Sequence, residues 1–117
     1  IFRRWATTGD GLLTALKVLE ILAATGRTLD ELTAGLPVYP QIIRSVPVRA
    51  RIPFEQVPAL REAVRSSEQA LAGRGRIVVR YSGTELLARV MVEAETQQEV
   101  DLHATRLAQV ITDHLGA

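Results

Sequence analysis

Cysteine is absent from this chain, and Lys17 is the only lysine among 14 basic residues. Without cysteine there are no disulfides and no thiolate metal ligands, which suits a reducing compartment. No apolar run approaches the length a bilayer requires, and no signal-peptide h-region is present. A cytoplasmic location without a membrane partner is the resulting expectation. A net charge of +1 supplies no strong steering field, so nucleic acid is not an expected partner either. The preference for arginine reads first as the mark of a GC-rich genome, although a guanidinium fork does grip phosphate where one is needed. The 117 residues suffice for one modest domain, or for a small domain plus a piece of another. The opening Ile1-Phe2-Arg3-Arg4, without an initiator methionine, suggests a piece of a longer soluble protein.

Residues 1–5 read as the end of a strand, followed by a loop at Thr7-Thr8-Gly9-Asp10-Gly11. Leu12, Leu16, Leu19 and Ala23 keep helical spacing, Ala15, Ile21 and Leu22 widen the stripe, and Gly26 is placed to end the helix. Thr28 and Glu31 form a capping-box pattern for a short second helix, stopped by Gly35-Leu36-Pro37. The β-branched, proline-punctuated stretch after Pro37 predicts an edge strand. Pro58 suits the first turn of a helix with Leu60, Ala63, Val64 and Leu71 on one face, broken by Gly73-Arg74-Gly75. Ile77-Val78-Val79 and Ala88–Glu93 predict two strands around a turn. Thr96 and Glu99 cap a last helix carrying Val100, Ala104, Leu107 and Ile111. The order β-α-β-β-α predicts an α+β domain over residues 37–117, with helices on one face of a small antiparallel sheet. Residues 1–36 hold too little to form a core alone and read as the tail of a preceding α/β domain.

The turn between those two strands, Arg80-Tyr81-Ser82-Gly83-Thr84-Glu85, carries the chemistry. A phosphate monoester bears nearly two negative charges, so its site wants a guanidinium, hydroxyl donors and main-chain N–H groups free of bulky side chains. Arg80, Ser82, Gly83 and Thr84 match those roles. Judged on local chemistry alone, Ser82-Gly83-Thr84-Glu85 is equally readable as a plain hairpin turn.

The segment from Arg80 to Glu93 resembles the C-terminal phosphate loop R-x-S-G-T-E-P-x-x-R-V-M-V-E of phosphoglucosamine mutases. Thr8-Gly9-Asp10-Gly11-Leu12-Leu13-Thr14-Ala15-Leu16 resembles the end of that family's third domain, and Tyr39-Pro40-Gln41 the entry to its fourth. Leu86 departs from the motif, where proline is usual. The resemblance implies a four-domain α-D-phosphohexomutase that interconverts glucosamine 6-phosphate and glucosamine 1-phosphate for cell-wall amino-sugar supply. It also implies a phosphoserine in the first domain and Mg²⁺ held by the second, both outside this chain. This chain would be inactive alone and would hold the non-reacting phosphate of the phosphosugar, packed beside the preceding domains of the same enzyme. The implied ligands are Arg80, Ser82, Gly83 and Thr84. Glu85 supports the loop, and Arg89 is a second-line cation or half of a surface salt bridge.

The remaining polar candidates have plainer readings. Asp10 precedes a helix and reads as its N-cap rather than a metal ligand. His103 and His114 lie on one side of a helix but about 16 Å apart along its axis, too far to share a metal; both read as boundary residues. Trp5 and the leucines of residues 12–22 read as core of the absent domain. Two alternatives stand beside the leading reading. One is a phosphomannomutase or phosphoglucomutase; the other is a non-enzymatic RNA-binding sheet, for which Tyr81 is the only nearby stacking aromatic.

Overall fold

Alternating burial along the central strand sets the architecture of the larger part of the chain. The computed structural model describes all 117 residues. The chain divides into two units, Ile1–Pro37 and Val38–Ala117. In the second, β1 (Gln41–Pro47), β2 (Arg76–Tyr81) and β3 (Leu87–Glu93) form an antiparallel sheet in the order β1-β3-β2. Ala88, Val90 and Val92 of β3 are fully buried, while Arg89, Met91 and Glu93 alternate to the other side. The α-helices of this unit are α3 (Pro58–Leu71) and α4 (Gln97–Leu115). They pack on each other and on the Ala88–Val90–Val92 side, and neither covers the opposite face. This is the α+β layer the sequence predicts, with β1 at an edge.

Local chemistry fixes the ends of these elements. Pro58 occupies the first turn of α3, where its missing N–H costs nothing. Thr96 accepts the Glu99 N–H at 3.2 Å to cap α4. Gly75 lies so near the Glu93 carbonyl that a Cβ would come within 2.5 Å of it, so the residue entering β2 has to be glycine. The core is then closed by Leu60 and Leu71 from α3 and by Val100, Leu107 and Ile111 from α4, all at most 1% exposed.

The first unit holds α1 (Gly11–Thr25) and α2 (Leu29–Thr33). Asp10 caps α1 through its carboxylate, which accepts the Leu13 N–H at 2.9 Å. Gly26 ends the helix in the left-handed region with φ 64°, and the Thr28–Glu31 capping box of α2 forms.

One expectation fails here. Residues 1–5 are a turn rather than a strand end, with the Trp5 and Ala6 N–H groups both donating to the Phe2 carbonyl; a strand needs a neighbour to pair with, and this unit contains none. No residue of α1 is buried within this chain, and Leu12 and Leu19 are exposed. Trp5 is likewise exposed, flanked by the Lys17 ammonium 4.9 Å from its ring centroid.

Candidate phosphate loop at the β2–β3 hairpin

Residues 82–86 connect β2 to β3, and their hydrogen bonding is one-sided. At the base of the hairpin the Ser82 N–H donates to the Leu87 carbonyl at 2.8 Å. Beyond it the N–H groups of Gly83, Thr84, Glu85 and Leu86 donate to no protein acceptor. Three carbonyls of the same loop are occupied. Gly83 O and Glu85 O each accept from Arg51 Nη2 at 3.1 Å, and Leu86 O accepts the Val48 N–H at 3.0 Å. Four free donors against three tied-back carbonyls resemble the backbone pattern of an anion-binding concavity.

Register places the charged side chains beside that tip. Arg80 of β2 pairs with Arg89 of β3, one step before the last rung of the ladder, and both lie on the face that α3 and α4 leave uncovered. Like charges directly opposite one another disfavour the sheet, so an anion between them would relieve a standing repulsion. Arg89 donates to Glu85 Oε2 at 3.3 Å, an exposed ion pair that contributes little by itself. Arg80 is exposed and has neither an ion pair nor a hydrogen bond. On the same face Gln41, Ile43, Val78, Arg80, Arg89 and Met91 line a shallow depression of about 210 Å³.

Ser82, Glu85 and Arg89 come together, because Glu85 Oε2 also accepts from Ser82 Oγ at 3.4 Å. The Ser82 residue is only 3% exposed, so its hydroxyl is set by the fold rather than free to rotate in solvent. Gly83 and Thr84 form the exposed tip, and the Thr84 hydroxyl makes no hydrogen bond within the chain. Tyr81 is turned to the helix side, where it stacks on Phe54 at 4.3 Å between centroids and donates its hydroxyl to the Ile52 carbonyl at 2.7 Å. Burial raises the Tyr81 pKa above its ordinary value, the Ile52 carbonyl acting in opposition.

Sequence reasoning missed two residues of consequence. Arg51 precedes α3, more than thirty positions from the loop it holds, and carries no motif. Its signal lies in topology: Pro47 pairs with Leu87 in an antiparallel ladder, so the chain after Pro47 must run beside the residues before Leu87. His103 is not a boundary residue but lies only 6% exposed on α4, with Nδ1 buried and unpartnered. Desolvation lowers its pKa, the nearby Arg106 charge acting the same way and Glu99 opposing. His114 is exposed. No group of three or more His, Asp or Glu side chains is arranged to hold a metal ion, and no helix is long and apolar enough to cross a membrane.

The fold and the loop together define a class: a three-stranded α+β layer whose hairpin tip presents unpaired backbone donors beside a free guanidinium. Sequence comparison takes this further. Residues 45–110 match the phosphoglucomutase/phosphomannomutase C-terminal domain and residues 1–39 match alpha/beta/alpha domain III of the same group. The chain belongs to the phosphoglucomutase/phosphomannomutase family.

Among its relatives, the phosphoglucosamine mutase of Koribacter versatilis is 55% identical over 111 residues, covering 95% of this chain and 24% of that protein. That of Desulfovibrio desulfuricans is 50% identical over 115 residues, covering 98% of this chain and 26% of that protein. This chain therefore spans about a quarter of the length of these curated relatives. Solved structures agree. Aspergillus fumigatus N-acetylphosphoglucosamine mutase superposes with TM-score 0.76 at 31% identity, over 93% of this chain and 22% of that one. A structure of that fungal enzyme in complex with GlcNAc-6P and magnesium gives TM-score 0.71 at 32% identity, over 90% of this chain and 21% of the other.

Proposed function

We infer that this chain is the C-terminal part of a phosphoglucosamine mutase, with residues 1–36 ending its third domain and residues 37–117 forming its phosphate-recognition domain. The parent enzyme interconverts glucosamine 6-phosphate and glucosamine 1-phosphate in the cytoplasm, using a phosphoserine and Mg²⁺ carried by other domains. The observation that carries this reading is the hairpin tip, where four consecutive N–H groups lack protein acceptors and the unpaired Arg80 stands opposite Arg89. Phosphoglucosamine mutase relatives at 50–55% identity favour the amino sugar over the phosphomannomutase and phosphoglucomutase alternatives.

The chemistry assigned to this chain is binding and orientation. Arg80 supplies the charge, Ser82 and Thr84 supply hydroxyls, and the peptide groups at Gly83 and Thr84 supply further donors. Glu85 holds Ser82 and Arg89 in place until a dianion, a stronger acceptor than an exposed carboxylate, takes over those donors. Gripping the phosphate that does not react fixes the sugar while the other end undergoes transfer, so remote binding energy serves orientation at the reacting centre. Because the sugar binds in two orientations, such a loop recognises phosphate and leaves the ring to other domains. Magnesium offsets charge on the transferring phosphoryl group.

A backbone amide titration of the chain with glucosamine 6-phosphate, glucose 6-phosphate and sulfate tests the reading. Saturable shifts at residues 80–89, similar for both sugar phosphates, are expected. Shifts scattered over the surface, with none at the hairpin, would remove the loop from the phosphate site.

A further inference from the structure

We propose that Arg51 is a positioning residue of the phosphate loop: its guanidinium holds two loop carbonyls inward and so turns the Thr84 and Leu86 N–H groups outward. The proposal rests on the reading of residues 82–86 as the anion site and adds the group that shapes it.

The geometry follows from peptide planarity. All peptide bonds in the chain are trans, and a trans peptide points its N–H opposite its C=O. Arg51 Nη2 accepts no compromise in this respect, since one nitrogen donates to both Gly83 O and Glu85 O at 3.1 Å. Fixing the Gly83 carbonyl fixes the Thr84 N–H on the other side of the same plane; fixing the Glu85 carbonyl does the same for the Leu86 N–H. Neither N–H has a protein acceptor.

The segment carrying Arg51 is itself anchored to the hairpin. The Val48 N–H donates to Leu86 O, the Ile52 carbonyl accepts the Tyr81 hydroxyl at 2.7 Å, and Phe54 stacks on Tyr81. Residues 48–54 therefore form a strap along one side of the loop, and Arg51 is the member that reaches the tip. Its cation also offsets the negative ends of two carbonyl dipoles that would otherwise oppose an incoming anion. Arg80 and Arg51 thus divide the work, one to contact the phosphate and the other to aim the backbone.

The test compares wild type with Arg51→Met, which keeps the stem but removes the donors, and Arg51→Lys, which keeps charge and a donor. Amide spectra are recorded on the ligand-free chain, then each variant is titrated with glucosamine 6-phosphate. Expected are altered amide shifts and line broadening at Thr84 and Leu86 in Arg51→Met without ligand, about tenfold weaker binding, and partial recovery of both in Arg51→Lys. A ligand-free Arg51→Met loop identical to wild type would overturn the proposal, whatever happens to affinity, because Arg51 would then act only as a remote charge. If wild type fails to bind, the anion site falls, while the ligand-free spectra still decide whether Arg51 shapes the loop.

Discussion

The two faces of the sheet follow opposite rules. On the covered face Ala88, Val90 and Val92 meet Leu107 and Ile111, and nearly every side chain is apolar and out of solvent. On the open face Arg80 stands beside Arg89, and the cations gain little from their neighbours. One face minimises the free energy of the chain by itself, whereas the other holds a pair of like charges that an anion would relieve. The difference separates residues that stabilise the fold from residues that the proposed function uses for binding, and it can be tested residue by residue.

Leu107→Ala should give the largest effect. Truncating a fully buried leucine costs about 2–5 kcal/mol of unfolding free energy, read by urea denaturation. Phosphate-induced shifts at the hairpin should survive wherever the variant remains folded. Arg80→Met should show the inverse profile, with phosphate binding about tenfold weaker. Its unfolding midpoint should stay level or rise slightly, since the repulsion with Arg89 is removed. Equal loss of stability and affinity in Arg80→Met would dissolve the contrast between the faces.

The smallest effect concerns His103, the polar intruder on the covered side. Its pKa is lower in the folded chain than in the unfolded one, so the unfolded state takes up the proton first as pH falls. Stability is therefore intact above the ordinary histidine pKa and declines as pH drops through the folded value. In His103→Leu that acid-side decline should flatten, with stability near neutral pH unchanged or higher because the orphaned Nδ1 is gone. Urea melts on either side of the histidine range provide the comparison.

Much of this was legible in the sequence where local chemistry decides the outcome. Asp10, Thr28 and Thr96 cap as their spacing predicts, and Val100, Ala104, Leu107 and Ile111 all lie inside. The contributors to the loop from within residues 80–89 were visible because a hairpin brings near neighbours together. Arg51 was not, since its contact depends on strand order, a property of the whole sheet. His103 escaped notice because histidine is as common at boundaries as inside, and only its burial in the folded chain distinguishes the two.

Leu86 gives the loop a degree of freedom that the family pattern lacks. Proline at this position would close the ring on its own nitrogen, leaving nothing to donate and little backbone torsion to vary. Leucine restores a hydrogen at that nitrogen while its carbonyl remains bonded to the Val48 N–H. Rigidity supplied covalently in the motif is here supplied through space by the strap, which makes the shape of the tip responsive to whatever moves residues 48–54.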